Sequence, residues 1–175
     1  MKLFKIIGVS IAVLFLTVLI LERTMKDPVY IKVEKTIDQP LAILWDTVAL
    51  GFGNVSNYNP EIKSSSFDSG TREGIGTKRH CNTNDGGFLK EEIIEWNPSK
   101  SFKLKLTDSS FPMAMIESKF TFQEIGGATK ITQEFWYRMK SPMGFLSGLM
   151  KGKMEKTLRS GLNGLEAHLV SKEIK

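Results

Sequence analysis

Apolar and polar positions change rhythm several times along this chain. Residues 3–21 show no rhythm at all: Lys5 is the sole charge, and residues 6–21 hold nothing more polar than Ser10 and Thr17. As a helix this stretch would be roughly 28 Å long, close to the hydrocarbon thickness of a bilayer. Asp27 and Pro28 close it. Residues 30–37 then alternate, with Ile31, Val33 and Ile37 on one side, as a strand does. Asp38, Gln39 and Pro40 open a helix, with Asp38 as its expected cap. Leu41, Leu44, Trp45 and Val48 share its apolar face. Gly51 and Gly53 break it, and a second short helix is expected over residues 54–59.

After Pro60 the pattern becomes strands and tight turns. Strands are expected over 62–67, 76–83, 88–96, 102–106, 115–125 and 129–139. Asn84-Asp85-Gly86-Gly87 and Gly126-Gly127 read as hairpin turns. Beyond Ser141-Pro142, apolar residues recur at three- and four-residue steps: Phe145, Leu146, Leu149, Met150, Met154, Leu158, Leu162, Leu165 and Leu169. This predicts a long amphipathic helix of about seven turns. Gly161 and Gly164 weaken it and are expected to permit close packing on a sheet.

Composition sets the class. The 175 residues are 41% hydrophobic and 25% charged, a globular balance. The expected division is 1–26 as a membrane anchor with its flanks and 27–175 as one folded domain. The apolar run ends in Ile20-Leu21-Glu22-Arg23, without the small-residue site of a cleaved signal peptide, and no lipobox cysteine follows. An uncleaved single-pass anchor is therefore expected. Lys2 and Lys5 favour an N-terminus inside, and the domain is expected outside the cytoplasmic membrane. Residues 1–26 carry +3 of the net +5, so the domain is nearly balanced and nucleic acid is not an expected partner. Cys81 is the only cysteine and reads as a buried apolar residue.

The order strand, two short helices, six strands, long helix carries local motifs in sequence. They are Asp38-Gln39-Pro40 before Trp45, Gly74-Ile75-Gly76-Thr77 with Arg79, Glu91-Glu92-Ile93, and Glu95-Trp96-Asn97-Pro98. Together they resemble the SRPBCC superfamily, the START and birch-pollen-allergen-like helix-grip proteins, including the polyketide cyclase/dehydrase-like ones. The resemblance covers about residues 29–171. It implies an α+β helix-grip fold: a curved seven-stranded antiparallel sheet around the C-terminal helix, with a cavity for lipids or other apolar molecules. Residues 58–64 also resemble the plant abscisic-acid receptors, which implies that Lys63 and Glu91 occupy ligand-contacting positions. The receptors' gate-loop sequence is replaced here by Asn84-Asp85-Gly86-Gly87, so hormone sensing is not implied.

Lys63 and Glu91 are thus expected as a polar pair in an apolar pocket, the alternative being the outer sheet face. Phe102, Leu104, Phe120, Phe122, Phe135, Tyr137 and Met139 alternate along their strands and should face inward. Ligand contacts are expected from Lys63, Arg79, Glu91, Leu104, Phe120, Phe122, Phe135, Tyr137, Met150 and Met154. His80 and His168 have no partners at metal-ligand spacing, so no metal and no cofactor are expected. No Ser/His/Asp or Cys/His set stands out. The leading expectation is a membrane-anchored, non-enzymatic binding protein for a lipid or apolar small molecule. The alternatives are a cyclase/dehydrase-type enzyme using Glu91, Arg79 and Tyr137, and an accessory protein serving a partner enzyme. Lys151, Lys153, Lys156 and Arg159 read as a solvated helix face, with lipid headgroups as the alternative.

Overall fold

Strand β1 (Val29–Ile37) buries Ile31, Val33 and Ile37 and exposes Lys32, Glu34 and Thr36, as its alternation requires. The computed structural model describes residues 27–68 and 70–173, together with Ile7, Ser10, Val13, Leu16 and Thr17, which are helical. The anchor expected over residues 3–21 lies almost wholly outside the described residues. Among the described residues no helix is long and apolar enough to cross a membrane.

Helix α1 (Leu41–Trp45) follows β1 and continues as a π turn over Asp46–Leu50 and a 3-10 turn over Phe52–Asn57. Asp38 does not cap α1. The Pro40 carbonyl instead accepts from the amides of Ile43 and Leu44 at 3.0 and 3.3 Å. The second short helix thus starts two residues earlier than expected, directly after Gly51.

Six strands come next: β2 (Ile62–Phe67), β3 (Lys78–Thr83), β4 (Phe88–Asn97), β5 (Ser101–Ser109), β6 (Met113–Ile125) and β7 (Ala128–Met139). They form one seven-stranded antiparallel sheet with the order β1-β7-β6-β5-β4-β3-β2. The β6–β7 hairpin turns at Gly126 and Gly127, both at positive φ (60° and 88°). That is the conformation a two-residue hairpin turn favours. The outer face carries opposed charges, such as Lys103 with Glu117 at 2.7 Å and Lys130 with Glu34 at 3.1 Å.

The long helix α2 (Lys151–Glu173) starts later than its apolar spacing predicts. Phe145 and Leu146 lie in a 3-10 turn (Gly144–Leu146), Leu149 is 79% exposed, and Met150 precedes the helix. The cause is Ser147. Its carbonyl accepts from the Tyr137 hydroxyl at 2.6 Å and its Oγ from the Met139 amide at 3.0 Å. These bonds fasten residues 144–147 to the end of β7, off the helix axis.

Leu158, Leu162, Leu165 and Leu169 of α2 enter the core. Gly161 and Gly164 do permit close packing, but against the segment before β2 rather than the sheet. A Cβ on Gly164 would collide with the Tyr58 carbonyl oxygen and lie 2.9 Å from Pro60 Cδ. On Gly161 it would meet only the Asn59 side chain, at 3.3 Å. Gly164→Ala should therefore destabilise the protein by about 1–3 kcal/mol despite alanine's better helix propensity. Gly161→Ala should be neutral or slightly stabilising. Chemical denaturation of both variants checks the order.

Candidate functional site

The concave face of the sheet is packed unevenly. At the end nearest α1, Trp45 meets Trp96, Phe122 and Phe102 at ring-centroid distances of 4.9, 5.5 and 6.3 Å. Ile37, Ile93, Phe102, Leu104 and Ile131 are at most 1% exposed there. This half is a dry core. In the middle of the sheet the packing stops being complete. Phe120 pairs with Phe102 on one side and Gln133 on the other, and Gln133 pairs with Val33. Phe102 and Val33 are fully buried, yet Phe120 and Gln133 between them are only half-buried. Phe120, whose ring stacks on Phe102 at 4.9 Å, and Gln133 thus keep surface that water can reach on the concave side of mid-sheet. Leu89, Leu106, Met113 and Met154 are likewise inward-facing and half-buried, from mid-sheet toward the end where β7 finishes.

Polar groups line this interior in two places. On β6 and β7, the Gln133 side-chain amide donates to Ser118 Oγ at 3.0 Å, which leaves its carbonyl oxygen available. On β3 and β4, Arg79 and Glu91 are cross-strand partners and form a buried ion pair, Nε to Oε2 2.6 Å. Arg79 also donates through Nη1 to the Phe52 carbonyl at 3.1 Å, and its guanidinium lies 4.2 Å from the Phe52 ring centroid. A buried arginine is tolerable only when so satisfied. Burial alone would lower its pKa, but the Glu91 carboxylate, with Cys81 and Tyr58, more than offsets this and raises it. Burial pushes the Tyr58 hydroxyl up to about 12, with Arg79 pulling the other way. Burial likewise pushes the Cys81 thiol up to about 11, which leaves it a poor nucleophile.

These features meet in one architecture: a curved sheet, a helix across its mouth, and half-buried apolar side chains on the concave face between them. The sequence profile of a family described as polyketide cyclase/dehydrase and lipid transport matches residues 28–170. The chain belongs to this polyketide cyclase/dehydrase and lipid transport family.

No curated protein matches the sequence. Solved structures with the same fold include XoxI from Bacillus cereus, at 16% identity and TM-score 0.68, covering 82% of this chain and 97% of that one. TTHA0849 from Thermus thermophilus is 20% identical, with TM-score 0.69 over 82% of this chain and 99% of its own. Major latex-like protein 151 of Panax ginseng is 19% identical, with TM-score 0.62 over 81% and 97%. At these identities the likeness is one of fold.

Within this member of the polyketide cyclase/dehydrase and lipid transport family, the expected site residues separate. Lys63 is exposed and does not face Glu91. It sits at a register shift between Ile62 and Ser64, where β2 slips against β3, and so has no cross-strand partner. The charge that Glu91 meets is Arg79. Leu104 and Phe122 belong to the dry core, and Phe122 packs on Trp45. Phe135 stands beside Tyr137, whose hydroxyl is committed to Ser147. Phe120 and Met154 border the incompletely packed half, and Met150 precedes α2. Ser118 and Gln133 went unnoticed in the sequence, although the inward alternation of β6 and β7 contains both.

Two concavities open on the outside instead. One follows the polar face of α2 from Gly152 to Asn163 and includes Glu155, Lys156 and Arg159; the other lies between Asp46, Tyr58 and His168. Neither is lined by inward-facing sheet residues. Among the described residues no His, Cys, Asp or Glu group is arranged to hold a metal ion.

Glu91→Met should strand the buried Arg79 charge and cost about 3–5 kcal/mol. Adding Arg79→Met should recover much of that loss. A double-mutant cycle by chemical denaturation measures it, and additive losses would contradict the pairing.

Proposed function

We propose that the protein is a membrane-anchored carrier or holder of an apolar small molecule, bound between the concave sheet and the N-terminal half of α2. The observation that carries this reading is the half-burial of Phe120 and Gln133 in mid-sheet, flanked by fully buried partners. A structural core of this size would ordinarily fill that space, since interiors pack as densely as organic crystals. Unfilled apolar space with a few convergent polar groups is the usual form of a small-molecule site. Family membership supports an apolar ligand. Residues 3–21 supply the proposed anchor, and the domain is proposed to lie on the outer side of the cytoplasmic membrane.

The polar groups point to a neutral ligand head. Lys63, the residue best suited to hold a carboxylate, faces solvent, and Arg79 is already neutralised by Glu91. A hydroxyl or carbonyl is the group that the Gln133 amide can meet without an uncompensated charge.

Cyclase-type chemistry is the second reading, favoured by the gathering of Tyr58, Arg79 and Glu91. General acid–base catalysis works best with a pKa near the working pH. Tyr58 is pushed up to about 12 and Arg79 is raised further from neutrality, so neither is tuned for it. With Glu91 committed to Arg79 at 2.6 Å, binding accounts for the site better than proton transfer.

The test is mass spectrometry of the full-length protein extracted from its host membranes in mild detergent. A stoichiometric apolar molecule should accompany the wild type and be depleted at least several-fold in Phe120→Trp, which fills the space. Equal recovery in both proteins, or no bound molecule, would overturn the reading. A product formed from the extracted molecule on incubation would favour the enzyme.

A further inference from the structure

Strand topology places several loops at one end of the sheet. The β3–β4 turn (84–87), the β5–β6 link (110–112) and the segment 140–150 after β7 all lie at the end where β7 finishes. They are joined there. The Phe88 amide donates to Ser110 Oγ at 2.8 Å, and the Lys140 amide to the Pro112 carbonyl at 2.8 Å. The Thr83 hydroxyl bond chiefly lowers the Asp85 carboxyl pKa, and Lys153, in the first turn of α2, is close enough to add to it. This end is apolar at its tip. Leu149 is 79% exposed, the most exposed large apolar side chain of the folded domain. Met143, Phe145, Leu146 and Met150 beside it are each half-buried.

The start of the domain lies at the same end. Val29 pairs with Tyr137, so Asp27 and Pro28 abut the last residues of β7. If residues 3–21 cross a bilayer, only residues 22–26 separate the membrane from Asp27. Fully extended, that link reaches about 20 Å at most. A domain held so closely must turn this end toward the lipid. The half-buried inward residues Leu89, Leu106, Met113 and Met154 also run toward this end, whereas the opposite end is sealed by Trp45, Phe102 and Phe122.

We infer that the 143–150 segment inserts into the outer leaflet of the bilayer that carries the protein's own anchor, and that the interior exchanges its ligand with the membrane through this end. The inference rests on the anchored reading given above. Exposed charges here nearly balance, with Lys140, Lys151 and Lys153 against Asp27, Asp85 and Asp108. The contact is accordingly apolar insertion of Leu149 and its neighbours, with the lysines at headgroup level, and it does not require anionic lipid.

The full-length chain tests this in phosphatidylcholine vesicles. An environment-sensitive fluorophore is placed on Leu149→Cys or, at the opposite end, on Ile125→Cys. Both native side chains are exposed, and the buried Cys81 thiol resists labelling. The Leu149 probe should shift to the blue and be quenched several-fold by lipid-borne nitroxide, while the Ile125 probe keeps its solvent-like emission. A solvent-like Leu149 probe on protein that resists carbonate extraction would overturn the docking and leave the anchor standing. Release of the protein by carbonate would overturn the anchor and the docking with it. A blue shift without lipid quenching would assign the segment to a second copy of the chain, or to the domain's own interior, and would also overturn the inference.

Discussion

The architecture depends on how α2 is held between the two edges of a curved sheet. On the β1 side, Lys35 donates to Asn163 at 2.9 Å and pairs with Glu166 at 2.7 Å. On the other side, Gly164 lets the helix backbone press onto the Tyr58 carbonyl and Pro60. A helix with side chains is only about 10–12 Å across. Gripped at the rim, it cannot also descend onto the whole floor of a seven-stranded concave sheet. What lies beneath must be filled by side chains or left open. Near α1 the aromatic group around Trp45 fills it. Around Phe120, which stacks on Phe102, and Gln133 the burial is only partial.

The interior's polar chemistry follows from the same geometry. The sheet brings Arg79 and Glu91 directly opposite one another, under the turn that presents the Phe52 carbonyl. The ion pair is therefore compensated within the protein and leaves the apolar space without net charge. Gln133 and Ser118 add a neutral amide and hydroxyl beside Phe120. A ligand proposed to lie there would be selected through unmet hydrogen bonds rather than charge, because a buried ion without a partner is far costlier than a buried hydroxyl.

Much of this fold was legible in the chain, because strands with one buried face alternate visibly. The inward set of β5, β6 and β7 follows from that alternation, and the β2 limits at residues 62–67 from the breakers on either side, Pro60 and Asp68-Ser69-Gly70. The misses have physical causes. A register slip such as the one at Lys63 leaves no trace in composition, yet it decides where a side chain points. The Arg79–Glu91 contact required knowing which residues of β3 and β4 stand opposite. Residues 145–150 keep helical spacing but are diverted by Ser147, a tertiary contact that periodicity does not register. Gln133 and Ser118 were hidden because a search for apolar alternation passes over the polar members of the same face.

The space over mid-sheet is proposed to belong to a ligand rather than to the protein's own side chains. A high-resolution crystal structure of protein taken directly from its host membranes tests it most directly. Continuous non-protein density bordered by Leu106, Phe120, Gln133 and Met154 is the expected result. Side chains of α2 packed onto Phe120 and Gln133, with no space left between, would contradict it.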